Sequence, residues 1–319
     1  MRDQFSRNIC YMRIAITDRC NLSCIYCRPE AVPFIPHDDI LRYEEILRVC
    51  GIAAGLGVKA IRVTGGEPLV RKGCADFIER LKRIPGIERV TLTTNGVLLQ
   101  EHIDSLAAAK LDGLNISLDT LSRAKYQQMM GADEFESVWA ALRRAVRLGI
   151  PTKINFVPVR GLNCEEIAAA AHLAKELPID VRFIELMPSG ENQGMQGVPA
   201  AEILALLKAA FKDLEEDPSQ RGFGPARYFK SEQLQGSIGL IAAISDNFCA
   251  ACNRLRLTSE GFLKVCLHHN LGVDLRAMLR GGAADKEIAL AMEEGVRQKP
   301  EAHVLHEGTN LNFMSRIGG

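Results

Sequence analysis

A chain of 319 residues with 39 Lys and Arg against 39 Asp and Glu has no formal net charge. That balance excludes a broad electrostatic footprint for nucleic acid or an anionic membrane, while leaving room for a local basic pocket. At 47% hydrophobic and 24% charged, the chain can bury one large α/β barrel or two domains. Its ten cysteines are too sparse for a disulfide scaffold. The opening MRDQFSRNIC has no apolar leader, and no uncharged run reaches the roughly 18–20 residues of a membrane span. The expectation is metal-binding thiols in a reducing, cytoplasmic compartment.

In chain order, short β-branched runs predict strands at residues 12–17, 60–64, 90–94, 114–118, 153–159 and 181–186. Between them, apolar residues three and four apart predict helices at 44–56, 74–83, 101–110, 137–148 and 165–177. Six β/α units in series predict a parallel sheet curled into an open, partial (β/α)6 TIM-like barrel. Ligand-binding residues then belong at the C-terminal ends of the strands. A Pro- and Gly-marked stretch at 217–225 interrupts the pattern. Beyond it, strands at 238–244, 254–258 and 263–267 and helices at 275–280 and 286–296 predict a smaller element. The expected division is 1–220 and 221–319.

Cys20, Cys24 and Cys27 stand in CNLSCIYC, directly after the first strand and therefore at the barrel mouth. Three thiolates can hold three irons of a [4Fe–4S] cluster and leave the fourth open to chemistry. Zinc also accepts thiolates, with His37 as a distant fourth ligand. GGEP at residues 65–68 ends the second strand. Its glycines admit close backbone approach, and the Glu67 carboxylate can take up an ammonium group. Cys249, Cys252 and Cys266 form a second set, C-x2-C-x13-C, again one ligand short. A zinc ribbon completed by His268 or His269 competes with a second cluster there. Cys10, Cys50, Cys74 and Cys164 have no partner spacing and are assigned no function; the last three lie in or beside helical patterns and read as packing residues or bystanders.

The first triplet, with Tyr26 before its last cysteine, resembles the signature of the radical S-adenosylmethionine (radical SAM) superfamily. The string FCAACNRLRLTSEGFLKVCL resembles the C-terminal iron–sulfur signature of one family within it, the GTP 3′,8-cyclases of molybdenum cofactor biosynthesis. Gly318 and Gly319 are similar to that family's double-glycine tail. The resemblance runs nearly end to end. One departure is Arg28 in CRPE, where family members more often carry methionine.

The resemblance implies two [4Fe–4S] clusters, on Cys20, Cys24 and Cys27 and on Cys249, Cys252 and Cys266, with S-adenosylmethionine at the first. It implies that Tyr26 (through its backbone), Gly66, Ser117 and Met187 line the cofactor's pocket. Arg13, Arg62, Thr93, Lys153, Arg254 and Arg256 would hold GTP. The implied reaction begins with a 5′-deoxyadenosyl radical taking the ribose 3′ hydrogen. The sugar radical then adds to guanine carbon 8, giving 3′,8-cyclo-7,8-dihydro-GTP. A flavodoxin-type electron donor, a downstream cyclic pyranopterin monophosphate synthase and a homodimer are implied as well. Rival readings are another two-cluster radical SAM enzyme, such as one modifying a peptide, and a non-catalytic zinc or iron–sulfur module. The peptide-modifying enzymes commonly carry more C-terminal cysteines than the three present here.

Overall fold

The computed structural model describes residues 1–27, 33–188, 192–219, 221–246 and 248–302. Arg28 and the Gly318–319 tail lie outside the described residues. Six strands follow one another as parallel neighbours: β1 (Tyr11–Ala15), β2 (Ala60–Thr64), β3 (Arg89–Thr94), β4 (Leu114–Ser117), β5 (Thr152–Phe156) and β6 (Asp180–Ile184). The intervening helices are α1 (Tyr43–Gly55), α2 (Cys74–Lys82), α3 (Leu99–Ala108), α4 (Arg123–Met130), α5 (Phe135–Arg147) and α6 (Ile167–Glu176). After β6 comes α7 (Ala200–Ala210).

Strand parity explains the layering. Met12, Ile14, Ile61, Val63, Val90, Leu92, Leu114 and Ile116 alternate along their strands and belong to the buried core with the helices. Residues of the opposite parity (Arg13, Arg62, Thr93 and Ser117) point the other way and line a cavity. The sheet is therefore curled, apolar outside and polar within.

The C-terminal chain joins this sheet at both edges. Strands β7 (Glu215–Asp217), β8 (Arg227–Lys230) and β9 (Ser237–Ile241) attach through β9, which lies parallel to β6. Strands β10 (Arg254–Leu257), β11 (Phe262–Lys264) and β12 (Gly272–Asp274) attach through β10, which lies parallel to β1. The result is one 12-stranded sheet in the order β12-β11-β10-β1-β2-β3-β4-β5-β6-β9-β8-β7. The six-unit barrel thus gains a parallel strand on each side. Strands β7 and β8 pair antiparallel, Glu215 opposite Lys230 and Asp217 opposite Tyr228. Helices α8 (Leu275–Arg280) and α9 (Asp285–Arg297) follow, and α9 packs on α1.

Two helices arise where periodicity did not predict them. In α4, RAKYQQMM has little apolar pattern, but Ser122 caps its start by accepting from Lys125 N at 3.5 Å. Gly131, at φ 72°, ends it in the left-handed region. In α7, Pro199 precedes an Ala- and Leu-rich run.

Candidate active site

All eight parallel strands contribute side chains to one cavity of about 350 Å³, and all six cysteines of the two triplets line it. The first triplet leaves the end of β1, and Cys27 N donates to Cys24 O at 3.0 Å in a tight turn. Burial, then the neighbouring Cys27 and Cys20, pushes the Cys24 thiol well above its ordinary range. Thiols so placed ionise together only against a positive metal centre, so the donor set fits an iron–sulfur cluster. The Tyr26 hydroxyl donates to Asp119 Oδ2, and Asp119 Oδ1 accepts from Val157 N at 2.6 Å. Burial pushes the Asp119 carboxyl up to about 6.

The second triplet repeats the device. Cys252 N donates to Cys249 O at 3.0 Å, and Cys266 follows β11. Burial alone would raise the Cys252 thiol, but the Arg254 and Lys299 charges outweigh it and bring it to about 7. All six cysteines are free of disulfides. Among the described residues, no three or more His, Cys, Asp or Glu are set to hold a metal ion. A cubane sets a different demand, since each thiolate of a triplet takes a different iron.

GGEP is stitched to the segment that enters the first triplet: Gly66 N donates to Thr17 O and Glu67 N to Arg19 O, both at 2.8 Å. A Cβ on Gly66 would lie 2.4 Å from Arg19 O. The Glu67 side chain departs from the expected role. It is 1% exposed, turned beneath the loop, and accepts from Leu69 N at 3.0 Å, Asn95 N at 2.7 Å and Thr94 Oγ1 at 2.7 Å. Its carboxylate is committed to holding the β2 and β3 loops together, not to an ammonium ligand. Burial pushes it up to about 7. Tyr26, Gly66, Ser117 and Met187 all line the cavity beside the first triplet.

The opposite wall is cationic. Register sets Lys264, Arg256, Arg13 and Arg62 side by side across β11, β10, β1 and β2. Burial, then Arg256, holds Arg13 well below its ordinary range; Arg182 and Arg256 are each brought down to about 10 by burial and a neighbouring arginine. Nε of Arg62 and of Arg182 is buried without a hydrogen-bond partner. Guanidinium groups crowded in this way call for an anion.

Fifteen of the sixteen candidate residues line this cavity, Thr93 and Arg254 among them. Lys153 lies apart, in a second cavity of about 460 Å³ at the N-terminal ends of the strands. There its Nζ donates to Asp180 Oδ2 at 2.6 Å and to the Tyr228 hydroxyl at 2.8 Å. Tyr11, Arg62 and Arg182 border both cavities. Sequence reasoning missed Arg182, Lys264 and Lys299. Arg182 was readable as a charge between Val181 and Phe183 of a buried strand, whereas Lys299 carries no local signal.

Residues 14–174 match the radical SAM superfamily, and residues 179–305 match the Molybdenum Cofactor Synthesis C family. The structure of Streptococcus suis SuiB bound to S-adenosylmethionine superposes with TM-score 0.65 at 17% identity, over 92% of this chain and 68% of that one. The fold is shared with the hydrogenase maturase HydG at TM-score 0.52 and 19% identity, over 64% of this chain and 50% of that one. Fold and first triplet are those of a radical SAM enzyme. The GTP 3′,8-cyclases of Heliobacterium modesticaldum, Pelotomaculum thermopropionicum and Clostridium perfringens strain 13 are 45%, 43% and 41% identical, each over 100% of both chains. The chain belongs to the GTP 3′,8-cyclase family of molybdenum cofactor biosynthesis. No described helix is long and apolar enough to cross a membrane.

Proposed function

We propose that the chain cyclises GTP to 3′,8-cyclo-7,8-dihydro-GTP, with S-adenosylmethionine at a cluster on Cys20, Cys24 and Cys27 and a second cluster on Cys249, Cys252 and Cys266. The observation carrying this reading is a single cavity lined by six cysteines outside any disulfide and a row of cations. When bound, the first cluster and S-adenosylmethionine supply the 5′-deoxyadenosyl radical that takes the ribose 3′ hydrogen. The chain's own residues do the rest by placement. The Tyr26 backbone, Gly66, Ser117 and Met187 orient the cofactor at the first triplet. Arg254 and Arg256, beside the second triplet, hold the purine end of GTP. Arg13, Arg62 and Thr93 hold its middle.

A triphosphate carries about three to four negative charges, which guanidinium groups match bidentately and lysine matches as a point charge. Lys153 has its place in this scheme because Arg62 and Arg182 border both cavities. The phosphate tail passes between them and ends at Lys153. Enclosure by the barrel excludes water from the reacting carbons and keeps the near-attack geometry tight. A flavodoxin-type donor supplies electrons, the product passes to cyclic pyranopterin monophosphate synthase, and the working unit is a homodimer; family membership supports each of these.

Anaerobic Mössbauer spectroscopy with and without GTP, joined to product analysis, tests the reading. About eight irons per chain by the two-cubane count, with GTP perturbing a unique iron, are expected, together with 5′-deoxyadenosine and the cyclised nucleotide. Two loaded cubanes with GTP untouched would sink the substrate assignment.

A further inference from the structure

The short segment beyond α9 reaches the backbone near Cys252 and Cys266 through Lys299, and Arg7 links it to the backbone of Cys249. Arg7 Nη1 bridges Cys249 O at 2.8 Å and Glu301 O at 2.7 Å, and its Nη2 donates to Pro300 O at 2.6 Å. Gln4 Nε2 donates to Lys299 O at 3.3 Å. The Lys299 side chain turns inward from that anchorage, is 2% exposed, and lines the cavity. Its Nζ donates to Arg254 O at 3.0 Å, two residues after Cys252, and to Val265 O, immediately before Cys266. Both acceptors are neutral carbonyls. A buried ammonium with neutral acceptors keeps most of its desolvation cost unless negative charge lies close by. Cys252 and Cys266, with which Lys299 interacts electrostatically, supply that charge when they ligate a metal as thiolates.

We propose that Lys299 is a positioning residue for the second triplet: its ammonium ties the Cys252 and Cys266 segments together and favours the reduced state of the cluster they carry. The proposal rests on the two-cluster reading above. Outer charges and hydrogen bonds tune cluster potentials, and a fixed cation stabilises the more negative, reduced form. Lys299 acts through the cysteines and touches no reacting carbon.

The test uses full-length protein with Cys24→Ala and Cys27→Ala, so that only the second triplet reports. This parent is compared with Lys299→Met and Lys299→Arg in the same background, by iron content, thermal melting and a redox titration followed by electron paramagnetic resonance. Lys299→Met is expected to shift the reduced-to-oxidised ratio about tenfold toward oxidised, about 59 mV more negative for a one-electron couple, while Lys299→Arg stays within about threefold of the parent. Iron lost in Lys299→Met but kept in Lys299→Arg, at equal melting temperature, also supports the positioning role. An unshifted potential with iron retained overturns the proposal, as does equal loss of iron in both variants. A parent that binds no iron instead refutes the two-cluster reading, and this proposal with it.

Discussion

Substitution of Gly66 by alanine isolates what the GGEP loop contributes. The added Cβ would stand 2.4 Å from Arg19 O and 2.7 Å from Asp18 O, whereas ordinary contact begins at 3.4 Å. Both obstacles are backbone, so no side chain can swing aside, and the loop must retreat by about 1 Å. That retreat pulls on the 2.8 Å bond from Glu67 N to Arg19 O, one residue before Cys20. A misplacement of about 1 Å in a site that depends on near-attack geometry costs about 10²-fold. The assay is the anaerobic initial rate of 5′-deoxyadenosine release with GTP present, alongside iron content. Gly66→Ala is expected to keep its iron and lose about 100-fold in rate. A rate within about threefold of wild type would refute the claim that this close approach sets the geometry.

Gly51, in α1, meets nothing within 4 Å of a built Cβ, so Gly51→Ala should leave turnover unchanged and stabilise the fold by about 0.5–1 kcal/mol in urea unfolding. Lys153→Met removes the cation at the far end of the proposed phosphate path; the KM for GTP should rise about 10- to 100-fold while GTP-independent S-adenosylmethionine cleavage holds, and an unchanged KM would remove Lys153 from the site. Glu67 is raised from an ordinary 4.5 to about 7, so the folded state binds its proton more tightly than the unfolded chain does. Its stabilising contribution is full below about 4.5 and lost as pH rises through about 7, a span worth roughly 3 kcal/mol at most. Urea midpoints between pH 5 and pH 8.5 should therefore fall less steeply in Glu67→Gln than in wild type, and equal slopes would contradict the assignment.

The barrel was legible because its strands are apolar on the helix-facing side over four to six residues, a local property. Strand β2 and helix α8 occupy the expected bounds, and the other predicted elements shift by a few residues. Strands β7, β8 and β12 were not legible, since EED, RYFK and GVD carry no apolar/polar alternation. The cysteine triplets announced themselves by spacing. Lys153 did not reveal which end of the barrel it would occupy, because that depends on the register Thr93, Asn115, Lys153 across three strands. Glu67 looked like a ligand from its neighbours in sequence; its real partners, Thr94 and Asn95, come from the next β/α unit. The row of cations at Lys264, Arg256, Arg13 and Arg62 likewise exists only through pairing between distant segments.

The chain leaves β9 on one flank of the six-unit barrel and re-enters as β10 on the other, and Cys249 and Cys252 ride on that crossing. Asn253 meets Cys10 across 243 residues of sequence. Synthesis from the amino terminus therefore finishes the first thiol set long before the second can exist. Under the two-cluster reading, metal delivery to the crossing waits until both flanks have been laid down, so occupancy there would report that the two halves of the sheet have met.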